Sequence, residues 1–396
     1  MNLLSLSYWI NLLLSTFLTL QDGLLHGLAA LGLTHTSHGQ PAWPFSQRLS
    51  GAVMLIDHSV ARQFLYALAC SAAAVLAILL ALLWRRGRLI LLLAAVLLVY
   101  VSSWPDRQLL LSVANPTSFQ VSPTGFSASA IVHGQQLYLQ NCVNCHGVDG
   151  KGDTAHGLSL SVMPPNLAST LLWRRTDGDL FWQIANGVSD RHGNSSMPGF
   201  GTRLNDQEIW TLIDFMKANA AGTSIRDIGN WEQPVALPGI SSTCDQTAQS
   251  STTAWRGLRV RVILASANQP QTLPLEDPRL HSVVLSQDAI ALPPARAGAP
   301  VIDCLIRSSD AWRALSIITG IASDQLAGTQ LLTDRDGWLR ARRPASEGKT
   351  GGWSESDILC RAPTSGKLAD GLDGLIAAMD EEPVRFVKAG IVHASQ

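Results

Sequence analysis

There is no lysine or arginine before Arg48. A cleaved secretory signal opens on positive charge, so the apolar start reads as a membrane helix rather than a signal peptide. Charge is scarce throughout: 15% of the 396 residues are charged, and the formal net charge is −1. Without a basic excess nothing neutralises a phosphate backbone, which argues against nucleic acid as a partner. Cysteine is scarce too, at 6 residues. Cys70 falls in an apolar run and reads as a small filler, while Cys244, Cys304 and Cys360 stand apart. Those three cannot all pair within one chain. One disulfide with one free thiol, or a disulfide between chains, is expected. None of them forms a second pair that would complete a zinc site with the single Cys-x-x-Cys present.

That pair is Cys142-Val143-Asn144-Cys145, and His146 follows directly. By itself Cys-x-x-Cys fits a redox dithiol or half a zinc site. A redox dithiol usually follows a strand, whereas residues 134–141 read as the end of a helix. A histidine after the second cysteine is the pattern for covalent attachment of haem c. The thiols form thioethers with the porphyrin, and the imidazole is the proximal iron ligand. One such motif implies one haem.

The surroundings resemble a class I cytochrome c domain over about residues 126–222. The resemblance rests on Gly134, Leu137 and Tyr138 before the motif, and on Gly147, Gly150, Gly152 and Asp153 after it. It continues through Pro164-Pro165-Asn166-Leu167, the run from Asp179 to Gly187, Ser196-Met197-Pro198-Gly199-Phe200, and the stretch from Leu204 to Trp210. It implies an all-α domain in which Met197 is the distal ligand and the Pro165 region hydrogen-bonds the other nitrogen of His146. The residues themselves leave Met163, Met197 and Met216 as sulfur candidates. Met216 lies on an apolar helical face with Ile209, Leu212 and Ile213, and so belongs to a core. Met163 sits just before Pro164-Pro165. Met197 lies in a Gly/Ser/Pro-rich loop able to cross the far haem face, and is preferred. A His/Met pair raises the potential and fills both axial positions, which describes an electron carrier rather than an enzyme. Ser127 or Ser129 can cap the first helix, Asn205 with Glu208 makes a capping box for the last, and Gly134 admits a closely crossing helix.

Residues 64–84 carry no charge and are long enough to span a bilayer. Arg85, Arg86 and Arg88 follow, then a shorter apolar run over 89–104. Trp84 and Trp104 end the two runs. Residues 8–33 form a third apolar segment, interrupted by Gln21-Asp22-Gly23. Arginines at the turn mark the cytoplasmic side, so everything after Trp104 is expected outside. The implied location is a bacterial inner membrane, with the bilayer as partner and the later domains in the periplasm. That agrees with haem attachment outside the cytoplasm. His35, His38 and His58 in the outward loop could bind metal, and residues 55–62 faintly resemble copper-resistance membrane proteins. His26 lies inside the first segment. Solvated loop histidines are the plainer reading.

The expected fold is therefore multidomain: a membrane anchor (1–110), a linker (111–127), the cytochrome domain (128–222), a second linker (223–254) and an α/β domain (255–396). In the last, strands are expected at 258–265, 281–285 and 301–306, a helix at 309–319, a hairpin over 330–342 and a helix at 368–379. The hairpin, with its Asp334-Arg335-Asp336-Gly337 turn, resembles the second half of thioredoxin-like domains over about 305–345. No Cys-x-x-Cys follows the first strand, so a docking or structural module is implied. Three functions follow: a tethered electron carrier between unidentified redox proteins, a copper-handling or sensing protein with an accessory cytochrome, or a cytochrome subunit of a dehydrogenase or oxidase.

Overall fold

The computed structural model describes residues 6–50, 58–169, 172, 175–231, 234–244, 247–251, 255–267, 277–290, 302–345, 353–359 and 371–381. The chain divides into two compact units. One comprises residues 1–120 with 174–179 and 386–396; the other comprises 121–173 with 180–385.

The first unit opens with helix α1 (Leu6–Ala30), which runs through Gln21-Asp22-Gly23 without a break. A small hairpin, β1 (Thr36–Ser37) and β2 (Gln40–Pro41), turns at His38 and Gly39, both at positive φ. Strand β3 (Gln47–Leu49) precedes α2 (His58–Leu83), a 3₁₀ turn at Arg85–Gly87 and α3 (Arg88–Val101). Helices α2 and α3 pack through small residues. Ala74 and Ala77 of α2 are buried with Ala95 of α3. The large residues Leu76, Leu79, Leu93 and Leu97 point outward. This inverts the pattern of a helix pair in water and suits a pair in lipid. Among the described residues one helix segment, Ser59–Leu83, is long and apolar enough to cross a membrane. Helix α3 has 14 residues, short of the roughly 20 a full span needs.

Residues 111–120 are not a bare linker. After α4 (Arg107–Leu110), strand β4 (Leu111–Val113) pairs antiparallel with β3. The Trp43 N–H donates to the Pro116 carbonyl at 2.8 Å, and the Trp43 ring lies 4.4 Å from Phe119. In this unit the Asp179 carboxylate accepts from Arg48 Nη2 at 2.8 Å and from Ser118. The ion pair is almost wholly buried, and its geometry with added donors offsets the desolvation of both charges.

The second unit begins with α5 (Ala128–Asn141), α6 (Val143–His146) and α7 (Ala155–Ser159). Helix α8 (Asp177–Asn186) leads into the short hairpin β5 (Val188–Ser189) and β6 (Ser195–Met197), and α9 (Asp206–Ile228) follows. Ser127 caps α5, and Asn205 with Glu208 forms the expected capping box on α9. At Gly134 an added Cβ would lie 2.0 Å from the Thr211 carbonyl oxygen, so α5 and α9 cross backbone against side-chain-free backbone.

The stretch expected as a second linker, 223–254, carries structure instead. Helix α9 runs to Ile228 and ends at Gly229 in the left-handed conformation. Strand β7 (Val235–Ala236) joins the main sheet, and β8 (Ser241–Cys244) pairs with β9 (Thr247–Ser251). The expected α/β elements all form: β10 (Val260–Ala265), β11 (His281–Ser286), β12 (Cys304–Arg307), α10 (Ser309–Thr319), β13 (Gln330–Thr333), β14 (Trp338–Arg343) and α11 (Gly371–Glu381). The sheet order is β12-β11-β10-β13-β14-β7. Strands β10, β11 and β12 are parallel, and β13 and β14 are antiparallel to their neighbours. Every residue of β10 is buried, as a central strand covered on both faces requires. One apolar cluster runs from Ile131 of α5 and Ile213 of α9 through Leu315 of α10 to Val262 and Leu331 in the sheet. Cys304 is disulfide-bonded, and its partner lies outside the described side chains. Cys70, Cys142 and Cys145 are free.

Candidate haem site

Helix α5 ends at Cys142, whose N–H donates to the Tyr138 carbonyl at 2.8 Å. A single further turn, α6, then carries Cys145 and His146. The turn is pinned from outside. Tyr138, almost wholly buried, donates its hydroxyl to the Gly147 carbonyl at 2.8 Å, and Thr154 donates to the Asn144 carbonyl at 2.8 Å. Gly147, Gly150 and Gly152 all have φ near +75° to +80°, the region glycine enters without steric cost. Through them the loop doubles back until Gly152 N–H donates to the His146 carbonyl at 2.9 Å. A Cβ on Gly152 would meet the Pro164 carbonyl oxygen at 2.5 Å, so only glycine lets the Pro164-Pro165 segment close on the loop.

Burial pushes the Cys142 thiol up to about 12, with the neighbouring Cys145 charge adding to the effect. Burial lowers the pKa of His146, while the Pro165 backbone opposes it. The imidazole is thereby held toward its neutral, ligating form. Its Nδ1 is buried and makes no hydrogen bond of ordinary geometry.

Met197 ends β6 and packs, partly buried, on the same core as Cys142, Val143 and Leu167. Its loop is fastened to α8: Phe200 N–H donates to the Ile184 carbonyl at 2.8 Å and Gly201 N–H to Ala185 at 2.9 Å. Gly187 must be glycine here, since φ is +79° and a Cβ would sit 2.5 Å from the Met197 carbonyl oxygen. Met163 is 57% exposed, and Met216 is buried in the core as its periodicity predicts. Two free thiols, a half-buried imidazole and a thioether that shares its core with Cys142 fit a covalently held haem.

Tyr138 and Thr154 were not foreseen as supports of the turn. Their partners are backbone carbonyls, which leave no mark in a sequence. Among the described residues no group of three or more His, Cys, Asp or Glu side chains could hold a metal ion. The side chain of His58 lies outside them.

Fold and site together define residues 129–216 as a class I c-type cytochrome domain. A family model described as cytochrome c oxidase, cbb3-type, subunit III matches those residues. The cbb3-type cytochrome c oxidase subunit FixP of Rhizobium etli is 34% identical over 92 residues, which are 23% of this chain and 28% of that protein. FixP of Rhizobium meliloti is 30% identical over 92 residues, with the same shares. The chain thus spans less than a third of these curated relatives. Among solved structures, the KustC0563 c-type cytochrome is 29% identical, with 22% of this chain and 95% of that one covered and a TM-score of 0.19.

Proposed function

We propose that this chain is a membrane-tethered carrier that passes single electrons through one haem c. Cys142 and Cys145 would hold the porphyrin by thioethers, and His146 and Met197 would be the iron's ligands. A bound haem c supplies an iron that changes by one electron between ferric and ferrous states. The chain's residues do the rest. The Pro165 backbone lies beside the His146 ring and favours its protonated Nδ1, and a full hydrogen bond closing there when haem is held would fix the ring and its basicity. Met197, at the end of the β5–β6 hairpin, would supply the second ligand, and an iron with both positions filled by protein favours electron transfer over catalysis. The observation that carries the reading is one pinned helical turn that brings free Cys142 and Cys145 together with His146, with Cys142 packed on the same core as Met197.

Helices α1, α2 and α3 form the anchor, with Arg85, Arg86 and Arg88 at the cytoplasmic turn and residues after Trp104 in the periplasm. The small-residue packing of α2 on α3 supports this, and the Cys304 disulfide fits an oxidising compartment. The anchor comprises residues 1–120, and the cytochrome and α/β regions share one compact unit. The α/β region is a thioredoxin-like module without a cysteine pair, a reading supported by three parallel strands followed by an antiparallel hairpin. The relatives' names point to an oxidase as the partner complex. No observation favours a copper-handling role.

The test is expression with the haem-attachment machinery, haem staining of a denaturing gel, and a reduced-minus-oxidised spectrum of the membranes. A stained band at the chain's mass is expected, and is lost in Cys142→Ser/Cys145→Ser. An unstained wild-type chain would sink the reading.

A further inference from the structure

The last three turns of α9, residues 217–228, continue beyond the residues the cytochrome family model matches. They carry two sets of contacts. Asn219, Thr223 and Asp227 recur every fourth position and share one helical stripe. Asn219 Nδ2 donates to the Val148 carbonyl at 3.0 Å, Thr223 Oγ1 donates to the Asp149 carbonyl at 3.2 Å, and Lys151 Nζ reaches Asp227 at 2.9 Å. All three partners lie in the loop after His146. The adjoining stripe touches α10. A Cβ on Gly222 would lie 1.9 Å from the Ile317 carbonyl oxygen, and one on Gly320 would lie 2.6 Å from the Gly222 carbonyl oxygen. The two helices meet there backbone to backbone. Arg226 lies between the stripes: its side chain packs beside Gly320, and its Nη2 donates to Thr223 Oγ1 at 2.9 Å.

We infer that Asn219 and Thr223 are positioning residues for the haem loop, and that the seating of the α/β domain at Gly222 sets where they stand. Asp227 is a lesser member, because its pair with Lys151 is solvent-exposed. The loop's importance rests on the haem reading above; the mechanical coupling does not. Arg226 and Thr223 stand on the same rigid helix and stay together, so the coupling runs through α9 as a unit: separating α10 from Gly222 lets α9 shift and loosens the hold of Thr223 on Asp149. The α/β domain is then a brace on the haem loop, and a partner bound to that domain would be felt at the haem.

Hydrogen exchange on the full chain tests this by following the amides of Gly150 and Gly152. Thr223→Val is expected to speed their exchange by about fivefold, the equivalent of one hydrogen bond, with α10 amides unchanged. Gly222→Val is expected to speed both the loop and α10 amides. If Gly222→Val frees α10 and leaves the loop at the wild-type rate, the coupling is wrong. Should Gly222→Val fail to fold, Gly222→Ala and Asn219→Leu replace it, and wild-type loop exchange in Thr223→Val and Asn219→Leu overturns the inference. Haem staining of each preparation is scored separately. A wild-type chain without haem defeats the functional reading alone.

Discussion

At the scale of single residues, burial shifts the protonation of the turn that carries Cys142 and His146. The Cys142 thiol, pushed to about 12, gains a thiolate population only as pH approaches that value. In protein without haem its alkylation at pH 8 should be slower than that of a free cysteine by on the order of 100-fold. Mass spectrometry of the labelled peptide measures this, and labelling at the ordinary rate would show an exposed thiol. Met197 makes a separate prediction. Met197→Leu should lower the reduction potential by a sizeable part of the roughly 0.8 V that axial ligands span, and abolish sulfur-to-iron absorption. The same change at Met163 should leave both intact. Cys142, Cys145 and His146 could be put forward from sequence because the motif's chemistry is local in spacing, whereas Met197 could be put forward only from its order among other matched segments. Tyr138, Thr154 and Thr223 could not, because a hydroxyl that finds a distant carbonyl has no spacing rule.

Elements carry the next set of consequences. Helices α5 and α9 cross at Gly134, where Gly134→Val would drive a side chain into the Thr211 carbonyl. Overpacking of this kind costs roughly 1–3 kcal/mol, and denaturant unfolding should show at least that loss. Helix α11 is fastened differently. Arg279 bridges Asp277 and Asp373, and Arg259 holds Asp380 at the far end of α11. Bonds from Arg279 hold the Asp277 carboxyl at about 2, below the roughly 3.9 of an unfolded chain. A depressed carboxyl contributes stability above the unfolded value and loses it as pH falls through the folded one. Asp380 is depressed in the same direction by Arg259. The Asp277 contribution should therefore be complete above about pH 4 and lost toward pH 2, and the Asp380 hold on α11 should weaken in the same direction. Exchange of α11 amides between those values should rise, and Arg279→Ala should flatten the profile. Strands and helices of this region were legible from alternation and periodicity. The extent of α9 was not: Gly222 looks like a helix end in sequence, yet it is where another helix touches. The Ser/Thr-rich run after Ile240 looks like a linker, yet it pairs as β8 and β9.

For the whole molecule, the decisive feature is the inversion of α2 and α3, with alanines inside and leucines outside. Hydropathy alone marked these runs as apolar; the packing adds which faces meet. If the pair sits in lipid, the chain should stay with membranes through an alkaline carbonate wash. A chain starting after Trp104 should be released. Placing Asp at Leu79 and Leu97 should add about 2.5–3.5 kcal/mol each to insertion and reduce the membrane-bound fraction. A monodisperse full chain in buffer without detergent would contradict this. Orientation is testable through the haem itself. Arg85, Arg86 and Arg88 sit at the turn between the helices, and basic turns are retained in the cytoplasm. Changing all three to glutamate should weaken that preference and leave part of the population with the haem motif inside, where covalent attachment does not occur. The stained fraction should fall while total chain stays constant. Unchanged staining would mean that the arginines do not set the orientation, and that another segment, with α1 the first candidate, does.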